Sequence, residues 1–135
     1  MDKNTGNTQV SAQIQEVLQK MRLTYIENLP RQLDNMEALV MELRKSKDYP
    51  NSYETLYRAI HSLKGTAGTY GVHIISTVCH HFEVYLKANL KDGVGARDQH
   101  IGTCLDFTDL LRNTLNQVAS GRESFPEIEA SLSAI

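Results

Sequence analysis

The sequence predicts an all-α protein, an antiparallel four-helix bundle with an additional N-terminal helix, and three observations carry that prediction. Apolar residues recur at spacings of three and four through almost the whole chain. No segment alternates apolar and polar residues with the period of two that a half-buried strand needs. Only three prolines occur in 135 residues, which leaves long stretches free to be helical.

The first segment carries Val10, Ile14, Val17 and Met21 at alternating spacings of four and three, so they share one helical face. It runs to about residue 29, where Pro30 either ends it or opens the next helix at its first position, a place that tolerates proline. The second segment, about 30–45, shows Leu33, Met36, Val40 and Leu43 in the same rhythm. Residues 48–51, Asp-Tyr-Pro-Asn, read as a turn. Asn51 followed three residues later by Glu54 resembles a capping box and starts a third helix there. Its stripe is Tyr53, Leu56, Ile60, Leu63 and Ala67, and it ends in Gly68-Thr69-Tyr70-Gly71.

A fourth helix over about 72–90 turns Ile75, Val78, Phe82 and Leu86 inward. Residues 91–97, with Gly93 and Gly95, read as a loop. A fifth helix from near Asp98 carries Ile101, Cys104, Thr108, Leu111, Leu115 and Val118, and Gly121 supplies a stop. After Phe125 and Pro126 one short helix over 127–132 is expected. Amphipathic helices with short connections and no strands bury their stripes by forming a bundle. The organisation is thus a flexible N-terminus at 1–9, a bundle over 10–121 and a C-terminal tail at 122–135, with the first segment an added helix or an N-terminal extension.

Composition narrows the function classes. Lys and Arg total 14 against 16 Asp and Glu, a net charge of −2 with no basic run, which argues against a nucleic-acid or anionic-membrane binder. The longest apolar run is residues 38–41, far short of the ~20 residues a membrane helix needs. The polar N-terminus lacks the apolar core of a secretory signal. The two cysteines, Cys79 and Cys104, form no Cys-x-x-Cys pair and read as small core residues of a reduced, cytoplasmic protein. His73, His80 and His81, near Cys79 and Glu83, raise a metal site. With no His-Glu-x-x-His and no Glu-x-x-His, solvated or half-buried histidines and no metal are the expectation.

The informative stretch is Ala59 to Gly71 on the third helix. Ile60, Leu63 and Ala67 fix its core side, and at ~100° per residue His61 falls roughly 130° from the centre of that stripe, toward solvent. Lys64 lies near the same edge, Gly65 and Gly68 flank His61 on the exposed side, and Tyr57 shares the patch with Glu54 and Arg58 at its margin. Two glycines within a helix cost about 1 kcal/mol each relative to alanine, so they need a compensating reason. Glycine one turn from His61 removes the side chain that would screen the imidazole and lets a partner's loop or a phosphoryl group approach. Lys64 offers a mobile cation to an anion on His61, and a neutral imidazole nitrogen is a competent nucleophile. Tyr57 and Tyr70 either touch a partner or pack at the edge of the core.

The chain here resembles the histidine-containing phosphotransfer (HPt) domains of multistep bacterial phosphorelays. Their signature, His-x-x-Lys-Gly with a glycine ten residues after the histidine, appears as His61, Lys64, Gly65 and Gly71. Cys79, the Phe82-Glu83 pair and the Tyr25 to Pro30 segment add to a resemblance spanning roughly residues 18–118. It implies a four-helix bundle with His61 exposed, accepting a phosphoryl group from a receiver-domain aspartate and passing it to another receiver. Lys64 would position the phosphoryl group, and Tyr57, Arg58, Gly65 and Gly68 would lie under the docking partner. The implied partners are receiver domains of hybrid sensor kinases and response regulators, with no nucleic acid and no membrane, and the chain is expected to be a monomer. It has no Gly-rich phosphate loop, so it is expected to be a carrier rather than an enzyme. No cofactor of its own is expected, and the Mg²⁺ belongs to the partner receiver. Two other readings are the phosphoacceptor domain of a larger chemotaxis-type histidine kinase and a helical binding module without chemistry. Met1 and the self-contained length favour a free-standing protein.

Overall fold

The computed structural model describes residues 3–89 and 96–134, and no strand occurs among them. The helices are α1 (Lys3–Lys45), α2 (Tyr49–Thr69), α3 (His73–Asn89), α4 (Arg97–Ala119) and α5 (Pro126–Ser133). α1 packs on α2 and α4, and α3 packs on the same two, so the four long helices ring one core while α5 lies against α3. The expected loop over 91–97 falls mostly outside the described residues.

Pro30 neither ends nor begins a helix. It lies inside α1, which runs unbroken. Proline in a helix interior costs ~3 kcal/mol or more, yet Ile26 and Leu29 before it and Leu33, Met36, Val40 and Leu43 after it are all buried in the same core. Each such side chain contributes about 1.5–3 kcal/mol by burial, so the stripe on both sides outweighs the break. Pro30 itself is exposed, on the side where water can replace a lost hydrogen bond. The first segment is therefore an N-terminal extension of the first bundle helix. Val10, Ile14, Val17 and Met21 share a face but remain about half exposed, and burial begins only at Tyr25.

The start of α2 also differs from expectation. Asp48, not Asn51, is the cap, its Oδ1 accepting the Asn51 N–H at 3.4 Å. Pro50 suits the first helical turn because its φ is preset and its missing N–H would have had no helical partner there. The helix thus begins upstream of it, and Glu54 pairs with Arg58 at 2.7 Å instead of closing a capping box.

α2 ends as its glycines suggest. Gly71 has φ +76°, and the Val72 and Gly71 N–H groups donate to the carbonyls of Ala67 and Gly68 at 2.8 and 3.1 Å. This is the left-handed helix stop that glycine enters without a Cβ penalty. Gly121, with φ +99°, ends α4 by the same pair of bonds from Arg122 and Gly121. The inward residues of α3 and α4 are buried as expected, and Phe82 stacks on Phe107 with centroids 4.7 Å apart. Buried His100 was not anticipated; the Tyr85 hydroxyl lies 2.8 Å from its Nδ1.

Candidate functional site

Ile60, Leu63 and Ala67 are sealed in the core, which fixes the rotation of α2 about its axis. His61 consequently projects outward with its side chain 63% exposed. On α3, Val78, Cys79 and Phe82 are fully buried and fix that helix in turn. Their placement brings Glu83 to the seam with α2, its side chain only 13% exposed.

Glu83 gathers the site. Its Oε1 lies 3.1 Å from His61 Nδ1 and accepts the Tyr57 hydroxyl at 3.2 Å, while Oε2 meets the Lys64 ammonium at 2.8 Å. Burial works to raise the Glu83 carboxyl, but hydrogen bonds from Lys64 and His61, the Lys64 charge and the Tyr57 hydroxyl outweigh it and hold the group below its ordinary value. Glu83 is therefore an anion at neutral pH, able only to accept. In the neutral ring of His61 the hydrogen then belongs on Nδ1, facing the carboxylate, and Nε2 keeps its lone pair on the far side.

Lys64 is not the mobile cation that its sequence position suggested. Its side chain is 26% exposed and is held by Glu83, because the α2–α3 seam places a carboxylate within its reach. Gly65 is exposed, and a Cβ there would meet nothing within 4 Å. Gly68 faces α3 instead of open solvent. A Cβ there would sit 3.5 Å from Ser76 Oγ, whose hydroxyl donates to the Lys64 carbonyl at 2.9 Å. Arg58 is exposed and paired with Glu54. Tyr57 is half-buried, its ring near parallel to that of His61 at 11° with centroids 6.5 Å apart. Tyr70 is drawn away from the site and stacks on Tyr25 at 4.6 Å.

Among the described residues no three His, Cys, Asp or Glu side chains gather as a metal site. Cys79 and Cys104 are free and buried, and burial pushes both thiols up to about 12. No described helix is long and apolar enough to cross a membrane.

Glu83 is the functional residue that the motif on α2 did not supply. The sequence singled it out only in the Phe82-Glu83 pair of the resemblance and beside the histidines of the fourth helix, and its partnership with His61 depends on how two helices align.

A sequence model described as the Hpt domain matches residues 20–121, a span that contains His61, Lys64 and Glu83. Among curated proteins the chain is similar to the chemotaxis protein CheA of Rhizobium meliloti (strain 1021), 22% identical over 121 residues. The match covers 84% of this chain and 16% of that protein, so the chain spans well under a fifth of its relative's length. No solved structure matches the chain at comparable significance.

Proposed function

The chain belongs to the Hpt-domain family, whose members are histidine phosphotransfer modules of phosphorelays, and from that premise we propose that His61 is its phosphoacceptor, loaded by one receiver domain and unloaded by another. The observation that carries this reading is the exposed imidazole whose Nδ1 faces the Glu83 carboxylate at 3.1 Å, with Nε2 on the opposite side of the ring and a bare glycine one turn along the helix.

The Nε2 lone pair attacks the phosphorus of a receiver's phospho-aspartate. The P–Nε2 bond forms as the acyl-phosphate P–O bond breaks, and the electron pair leaves on the aspartate carboxylate. The ring acquires a positive charge while its hydrogen stays on Nδ1, donated to the Glu83 carboxylate, which stabilises that charge. Lys64, already oriented by Glu83, keeps further N–H donors for a phosphoryl oxygen. Gly65 gives the incoming domain clearance, and Arg58 and the Tyr57 ring lie at the rim of the docking face. The chain acts as substrate and carrier, with the Mg²⁺ of such transfers on the receiver. Reversal onto a second receiver's aspartate uses the same atoms.

The test is mass-spectrometric mapping after exposure to a phosphorylated receiver domain. An acid-labile phosphoryl adduct on His61, absent in His61→Gln, is expected. Label elsewhere, or none, overturns the assignment. The similarity to CheA favours a second reading, in which a histidine-kinase core loads His61 from ATP. Uptake from such a core and ATP, with no uptake from phospho-receivers, would select it.

A further inference from the structure

One oxygen of Glu83 serves two donors. Oε1 lies 3.1 Å from His61 Nδ1 and accepts the Tyr57 hydroxyl at 3.2 Å, while Lys64 holds Oε2 at 2.8 Å. Tyr57 and His61 stand one turn apart on α2, their rings near parallel. A carboxylate oxygen that faces only the imidazole draws a second proton onto the ring and favours imidazolium. That form has no lone pair with which to attack phosphorus. Negative charge engaged by the phenol is charge that Oε1 no longer offers to the ring.

We infer that Tyr57 is a positioning residue for phosphoryl transfer: its hydroxyl fixes the Glu83 carboxylate and shares Oε1, so that Glu83 orients His61 without trapping it as a cation. This rests on the reading of His61 as phosphoacceptor. Burial, and then the Glu83 charge and hydrogen bond, push the phenol above its ordinary value, so the hydroxyl keeps its hydrogen. The groups at the ring are Tyr57 and Lys64 from α2 and Glu83 from α3. Arg58 on α2 is engaged by Glu54, and His80 and Lys87 flank Glu83 one turn away on α3. Among the described residues no hydrogen bond or ion pair joins the ring to α1 or α4.

The test uses the full chain, with Tyr57→Phe removing only the hydroxyl. Imidazole ¹⁵N NMR follows the protonation of His61, and phosphoramidate, whose P–N bond breaks with loss of ammonia, probes phosphoryl uptake without a partner protein. The protonation midpoint of His61 should rise by roughly half a pH unit relative to wild type. Uptake on the acid limb should fall about threefold, with the high-pH plateau unchanged. Coincident midpoints and superimposable profiles overturn the inference. So does a shift seen with Tyr57→Leu but not with Tyr57→Phe, which would assign the effect to the ring. Failure of the phosphoacceptor reading looks different: wild-type His61 stays unlabelled while both NMR titrations remain measurable.

Discussion

Lys64 and Glu83 meet 2.8 Å apart across the seam between α2 and α3, with side chains 26% and 13% exposed. A pair this shielded is screened less by salt than a surface pair, and each partner depends on the other to offset desolvation. The cation of the motif and the carboxylate that orients the imidazole are thus one unit.

Replacing Lys64 with Ala should cost about 1–3 kcal/mol of stability, because Glu83 loses its charge partner while staying partly buried. Transfer to or from a receiver should slow by roughly tenfold to a hundredfold, or the phosphohistidine lifetime shorten, through loss of a charged donor near the phosphoryl oxygens. Urea titration and single-turnover label transfer measure the two effects. Unchanged kinetics and lifetime would remove Lys64 from the chemistry.

Glu83→Gln gives a pH-dependent loss of stability. The carboxyl is held below its ordinary value in the folded protein by its donors, although burial opposes them. Its contribution is therefore fully present above the unfolded value of about 4.3 and is lost as pH falls through the folded one. Wild type should exceed the Gln variant in urea midpoint at pH 7, and the gap should narrow as pH falls below the unfolded value. A gap that widens on acidification would contradict the donor arrangement.

His61→Gln should abolish phosphoryl acceptance and leave the fold intact, since the side chain is exposed and contributes nothing to the core. Thermal unfolding should move by no more than a few degrees. Uptake of label by the variant at the wild-type rate would sink the assignment.

Gly65 separates stability from docking. Alanine there should stabilise the domain by about 1 kcal/mol, because a helical glycine is replaced at a position whose Cβ meets nothing within 4 Å. Valine should slow transfer from a receiver far more than it perturbs unfolding. Normal transfer by the valine variant would show that the clearance serves no partner.

The helical stripes were legible because burial on one face leaves a period of 3.6 that needs no knowledge of neighbours. His61 was placed outward by the same arithmetic, from Ile60, Leu63 and Ala67. Pro30 was misjudged because local rules weigh its missing N–H, whereas the core weighs Ile26, Leu29 and Leu33 on either side of it. The cap moved to Asp48 because Pro50 extends the helix backward. The pairing of Glu83 with His61 and Lys64 escaped because contact between α2 and α3 is a tertiary alignment, which spacing within either helix does not encode. The same holds for Gly68, expected beside the imidazole and found against Ser76.

The left-handed stop at Gly71 joins the helix that carries the imidazole to the helix that carries its carboxylate, and so sets their relative phase. A slip of one helical turn along the seam, about 5.4 Å, would separate ring from carboxylate although every side chain were still present. A glycine with no side chain to offer chemistry therefore acts as the set-screw of the reactive pair, ten residues from the atom it keeps aligned.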